Sequence, residues 1–381
     1  MRRRLLAAAV ALLLTGGAAG SAAADAPAGQ PVRPAAASVE VPSGVSAGVA
    51  VFDRENGTFT EQLNSGTRFR SASVVKLLLA LDHLWNLGPD HTVPTADRAW
   101  LEPMLRSSDD DAADTYWSEN GGTAIITRMV SRLGLQDTAP PPAGYEDYWG
   151  YTALSARDTV TIYRYLLDSA PGPVRDFVMG NLRQSTRCAS DGFDQHFGVA
   201  GAFGKPWAVK QGWAGSSYEK GTCGPPRAAA ATRTAGPVAA ADVDLTRPAL
   251  HSTGTVGAHD RSIVAVFTLH PVGTSYGKAY TDIGRLTRSL NVPGAARPAG
   301  WWYGTWSERV NVRTDPSTGT SPITRLPAGV EVLVGCQARG EEVHVPPYTN
   351  DWWAYLPQYD GWISNIYINS PDNKMPDVRD C

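Results

Sequence analysis

Residues 69–85 read FRSASVVKLLLALDHLW, with Ser73 three positions ahead of Lys76 at the mouth of an apolar run. A helix beginning near Ser73 places Lys76 one turn on and on the same face, with Cβ atoms about 5–6 Å apart. Each residue has an ordinary explanation: serine caps helix N-termini, and lysine is usually a solvated surface group. The flanks argue against the second. Val74, Val75, Leu77, Leu78, Leu79 and Leu81 are apolar nearly all round, the pattern of a buried helix. A lysine there needs a partner or a chemical task. The chain uses six lysines against 28 arginines, and of the two only lysine gives up its proton readily when buried. A neutral lysine beside a serine acts as a general base, and a helix N-terminus stabilises charge on the oxygen.

Two other stretches carry compatible chemistry. MLRSSDDDAADTYW, residues 104–117, contains Ser108-Asp109-Asp110, and WAVKQGWAG, residues 207–215, places Lys210-Gln211-Gly212 on a predicted strand. The order Ser-x-x-Lys, Ser-Asp-Asn, Lys-Thr-Gly marks class A β-lactamases and penicillin-binding proteins. With IVAVFTLHP following the lysine strand, residues 44–291 resemble a class A β-lactamase-like serine hydrolase. The resemblance implies that Ser73 is the acylated nucleophile, Lys76 its base, and Ser108 a proton relay to the leaving nitrogen. It further implies that Lys210 polarises Ser108 and holds a substrate carboxylate. The backbone N–H groups of Ser73 and Trp213 would form the oxyanion hole. Asp110 stands in the place of an asparagine, and Gly212 lets substrate approach the strand edge.

The departures from that pattern are specific. Asp110 is an acid, able to accept from Lys76 and hold it protonated. Gln211 replaces a hydroxyl residue, leaving only its amide NH2 to donate to a substrate. No Glu-x-x-Leu-Asn follows. Glu146 is the one glutamate in the Pro-rich stretch 133–159, either a deacylation base or a solvated loop carboxylate. Fast β-lactam hydrolysis is therefore not expected.

Other chemistries find less support. His83 lies ten residues from Ser73 on the same predicted helix, almost three turns away. There is no G-x-S-x-G elbow, no H-E-x-x-H and no close cysteine pair, so no metal or other cofactor is expected. The formal net charge of −3 offers no basic field for nucleic acid.

The organisation follows from composition. At 381 residues the chain is long enough for two domains. Residues 1–24, MRRRLLAAAVALLLTGGAAGSAAA, have the n-region, h-region and small-residue end of a secretory signal. The apolar stretch breaks at Thr15-Gly16-Gly17, too early to span a bilayer. No cysteine stands at the cleavage site, so lipid attachment there is not expected. An Ala/Pro-rich linker covers 25–43. A hairpin is predicted around Glu55-Asn56-Gly57, helices over about 74–185, strands at PWAVKQGWAG and RSIVAVFTLHP, and a last helix at YTDIGRLTRSLN. Residues 216–250 read as a long irregular loop. The expected fold is α/β (α+β), one mixed sheet with an inserted helical part.

A second linker, 292–300, precedes residues 301–381, where VNVRTDPS, RLPAGVEVLV and GWISNIYI resemble a bacterial SH3 domain. That resemblance implies a small all-β barrel that folds by itself and attaches to peptidoglycan. Four cysteines, Cys188, Cys223, Cys336 and Cys381, suit two disulfides in an exported protein. Three connectivities exist; pairing sequence neighbours keeps each bridge within one domain. The expectation is a secreted, cell-wall-associated monomer acting on a β-lactam or a peptidoglycan-stem amide. The alternative is a degenerate, non-catalytic peptidoglycan-binding protein.

Overall fold

A computed structural model of the chain describes residues 39–215, 223 and 243–381. The expected signal segment, residues 25–38 of the first linker and most of the 216–250 loop lie outside them. The chain opens with β1 (Ser46–Asp53), β2 (Thr58–Leu63) and the short β3 (Phe69–Arg70). A 3₁₀ turn at Ala72–Val75 leads into α1 (Lys76–Leu84), then α2 (Thr95–Arg106), α3 (Asp110–Glu119) and α4 (Thr123–Leu133). The short β4 (Ala153–Leu154), α5 (Ala156–Asp168), α6 (Gly172–Arg183) and α7 (Val199–Ala202) complete the helical part. Then come β5 (Trp207–Ala214), β6 (Ala249–Val256), β7 (Ser262–Leu269) and α8 (Tyr276–Ser289).

The main sheet runs β2-β1-β7-β6-β5, and every neighbouring pair is antiparallel. The expectation of a mixed sheet is thereby corrected. β5, β6 and β7 form a meander, and the helical insertion joins opposite edges of the sheet, so no parallel neighbours arise. The Glu55–Gly57 hairpin forms, with Gly57 at φ +68° and its N–H on Asp53 O at 2.9 Å.

Period-two alternation sorts β1 into two cores. Ala50 and Phe52 join the cluster of α1 to α6, whereas Val49 and Val51 join a second cluster containing Tyr276 and Ile283 of α8. On β5, Ala208 belongs to the first and Val209 to the second. Within α1, Asp82 is a buried polar residue besides Lys76. That carboxylate is tied to Tyr116 Oη at 2.9 Å, Arg128 Nη2 at 2.5 Å and Arg132 Nη1 at 2.7 Å, pinning α1 to α3 and α4.

Strand β6 is absent from the sequence expectation, which ran loop up to residue 250. Its sequence, ALHSTGTV, lacks apolar alternation, yet all eight residues are buried. The polar side chains are satisfied by neighbours: Thr253 Oγ1 donates to Lys210 O at 2.7 Å and Thr255 Oγ1 to Asp260 Oδ1 at 2.7 Å. His251 has Nε2 2.8 Å from Arg70 O, and its Nδ1 accepts from Thr268 N at 3.2 Å, which fixes a neutral Nε2–H tautomer. Burial pushes its pKa from the ordinary 6.5 down to about 3. The unfolded chain therefore binds more protons between those values, and stability rises with pH across that window. The melting temperature should fall as pH drops from about 6.5 toward 3. Circular dichroism melts checking this would contradict it by showing a flat profile.

The C-terminal region holds β8 (Trp301–Gly304), β9 (Val310–Arg313), β10 (Pro322–Leu326), β11 (Glu331–Val334), β12 (Cys336–Val345), β13 (Tyr348–Leu356) and β14 (Gly361–Ser364). They form a five-stranded sheet, β10-β9-β14-β13-β12, and a β11-β8 ribbon. Despite the intervening linker, its interior is continuous with the second core. Val310, Val332, Leu356 and Ile363 share a cluster with Val51 and Ile283. α8 lies so close that a Cβ on Gly277 would fall 1.9 Å from Ala328 O, a clash that only glycine avoids. Glu331 accepts from Arg285 Nη2 at 2.5 Å and Arg288 Nη2 at 2.6 Å. The disulfides join Cys188 to Cys223 and Cys336 to Cys381.

Candidate active site

Three segments meet along β5, at Lys210 and Gly212. Ser73 sits in the 3₁₀ turn, buried at 6% exposure. Ala72 before it has φ 45°, a strained value for a residue with a Cβ. Ser108, between α2 and α3, is strained in the same way at φ 59°. Strain of this kind persists only where the surroundings over-determine the backbone, and it clusters at functional sites.

Lys76 is fully buried. Its Nζ donates to Ser108 O at 2.7 Å and to Asp110 Oδ1 at 2.5 Å, and lies 4.6 Å from the Trp149 ring centroid. Among the described contacts it makes no hydrogen bond to Ser73. Asp110 is the first residue of α3, with its side chain 53% exposed. Asp109 caps that helix, accepting from Ala112 N at 3.1 Å.

Lys210 reaches into the same space from β5 and donates to Ser108 Oγ at 2.6 Å. Burial holds its pKa well below the ordinary lysine range, and the like charge of Lys76 adds to the effect. A lysine so placed suits exchange of a proton with Ser108 better than it suits fixing a carboxylate by charge. The two sit 102 positions apart in the chain.

Gly212 follows on the same face of β5. A Cβ there would lie 2.9 Å from Ser71 O and 3.2 Å from Ser73 N, so the strand edge can touch the nucleophile's turn only with glycine at this position. β5 is the sheet's edge strand, the position at which an extended ligand can add to a sheet.

Gln211 and Glu146 do not join this group. Gln211 is fully buried and donates from Nε2 to Phe197 O at 2.7 Å. Alternation along β5 turns it with Val209 toward the second core, so its amide is not offered to a substrate. Glu146 is exposed, and backbone N–H groups of its own loop hold its carboxyl below the usual range. What this loop brings to Lys76 is Trp149, whose indole donates to Asp114 Oδ1 at 2.6 Å.

Trp213 adds neighbours that motif reading did not find. Its ring stacks on Phe193 with centroids 4.7 Å apart, and Nε1 donates to Asp191 Oδ2 at 3.2 Å. Asp191 and Phe193 belong to a hairpin beside Cys188. The turn-forming Asp191-Gly192 after a cysteine was its one local signal. Among the described residues no cluster of His, Cys, Asp or Glu could hold a metal ion.

No family model matches the chain. It is 39% identical over 195 residues to the "Putative lipoprotein LppW" of Mycobacterium tuberculosis, and equally to that of Mycobacterium bovis. The match covers 48% of this chain and 61% of the relative, so the chain spans about three fifths of the length of the curated relatives it matches. Among solved structures, one described as PBP-A matches 66% of this chain and 90% of its own, at TM-score 0.46 and 15% identity. A class A β-lactamase from Bacteroides cellulosilyticus matches 65% and 90%, at TM-score 0.47 and 13% identity. Another from Mycobacterium abscessus matches 65% and 92%, at TM-score 0.44 and 17% identity.

Proposed function

We propose that the chain is a secreted serine hydrolase that is acylated at Ser73 by a β-lactam or a peptidoglycan-stem amide. The observation that carries the reading is the chain Lys76–Ser108–Lys210, assembled beside Ser73 from three distant segments at hydrogen-bond distances of 2.6–2.7 Å. In this reading Ser73 Oγ attacks the carbonyl carbon. Its proton is taken up by neutral Lys76, the leaving nitrogen receives one from Ser108, and the Lys210 ammonium returns one to Ser108, so that one positive charge passes from Lys210 to Lys76. The Ser73 and Trp213 N–H groups stabilise the developing oxyanion. Two disulfides fit an oxidising compartment, and no helix among the described residues is long and apolar enough to cross a membrane.

The C-terminal region acts, on this proposal, as an SH3-like module that holds the chain on the cell wall. Trp306 is 45% and Tyr348 62% exposed, leaving aromatic faces for sugar or peptide.

A second reading, a pocket that binds a stem peptide without turnover, is favoured by one observation. Asp110 and Ser108 O engage Lys76, and Ser73 does not. Turnover tests the first reading. Glu146 is exposed and its carboxyl is held by its own loop, so among the described residues it is not set to act as a deacylating base. Incubation with excess nitrocefin should give at most one rapid equivalent of product, followed by turnover far below the ~10 s⁻¹ typical of enzymes. Glu146→Gln should leave that slow phase unchanged. Rapid sustained hydrolysis, lost in Glu146→Gln, would overturn this account.

A further inference from the structure

The C-terminal region touches the hydrolase part at one point that leads into the site. The turn 357–360, between β13 and β14, meets Arg187 at the root of the Cys188 hairpin. Arg187 Nη2 donates to Gln358 O, and its guanidinium lies 4.1 Å from the Tyr359 ring centroid. The same guanidinium pairs with Asp194 Oδ2 at 3.3 Å across the hairpin. Gln358 Nε2 also donates to Gly201 O.

From that root the hairpin runs to both flanks of the site. It is closed by Gln195 N on Arg187 O at 2.9 Å and Ala189 N on Phe193 O at 2.9 Å. The Cys188–Cys223 bridge fastens one side, with Cys223 N on Gly192 O at 3.0 Å. At its tip, Ser190 N donates to Ser107 O at 2.8 Å and Ser190 Oγ to Ser107 Oγ at 3.1 Å. Ser107 precedes Ser108. On the other side, Asp191 and Phe193 hold the Trp213 ring, one residue past Gly212.

We infer that the C-terminal region is a structural part of the acyl-transfer site, with Tyr359 and Arg187 as positioning residues that seat the 187–195 hairpin and through it set Ser108 and Trp213. The inference rests on the acyl-transfer reading for its functional consequence and on the contacts alone for its structural one. A cation over an aromatic face and a buried ion pair are both directional, so removing the ring frees the guanidinium to turn. Small displacements of catalytic groups cost rate steeply.

The test uses the full chain carrying Tyr359→Leu, which keeps an apolar side chain but removes the ring, and Tyr359→Phe, which keeps the ring. Two quantities are read well below the melting temperature: hydrogen exchange at the hairpin amides, and the acylation rate constant of a fluorescent penicillin separated from its binding constant. Tyr359→Leu should speed exchange at Ala189, Ser190 and Gln195 and slow acylation about tenfold or more. Its binding constant should change little, and Tyr359→Phe, which keeps the ring but loses the hydroxyl's bonds to Arg187 and Tyr280, should restore both readouts in part. A change in melting temperature with exchange and acylation unaltered would overturn the inference. Should the unsubstituted chain not be acylated, the acyl-transfer reading fails and exchange alone decides: faster exchange in Tyr359→Leu supports the seating, and unchanged exchange overturns it.

Discussion

Replacing Lys76 with methionine is expected to slow acylation of Ser73 by about 10²–10⁴-fold, the usual contribution of a positioned general base. The substitution keeps length and suits the surroundings, since Val75, Leu77 and Leu78 are fully buried apolar neighbours. Asp110 keeps water as a partner through its exposed side chain, so the loss should fall on chemistry rather than on folding. Stopped-flow labelling with a fluorescent penicillin gives the rate, and circular dichroism checks the fold. A folded Lys76→Met protein that acylates at the original rate would remove Lys76 from the mechanism.

Asp110→Asn should act in the opposite direction. The carboxylate draws Lys76 Nζ to 2.5 Å, and an amine engaged there faces Asp110 rather than Ser73, which slows its uptake of the Ser73 proton. An amide keeps the size and can still accept a hydrogen bond, but it carries no charge to retain the ammonium. Acylation at neutral pH should rise about tenfold, a change of about 1.4 kcal/mol in the barrier. The same labelling assay decides the point. An unchanged or lower rate would contradict this prediction, because the acid would then not be what restrains Lys76.

Much of this site was legible because its signals are short-range. Ser73 and Lys76 are one turn apart in a run whose apolar flanks announce burial. The hairpin at Glu55–Gly57 and the strand holding Lys210 follow local rules as well. Gln211 shows a different lesson. Alternation on β5 sets it opposite Lys210 and Gly212, but the family pattern drew it into the site, and its burial shows which rule governs. β6 was missed because its threonines, serine and histidine are satisfied by backbone groups far away in sequence, such as Arg70 O for His251. Trp149, Asp191 and Phe193 were missed for the same reason: only the folded chain carries them to Lys76 and Trp213. The continuity of the two cores was hidden by a linker whose composition suggested separation, while α8 and β11 carry no motif that names a partner.

The central claim is that Ser73 is the acylated residue. Intact-mass measurement after incubation with penicillin, followed by peptide mapping, tests it most directly. The account predicts a single penicilloyl adduct on the peptide containing Ser73, absent from Ser73→Ala. An adduct of equal yield in Ser73→Ala, or one mapped to another residue, would contradict it.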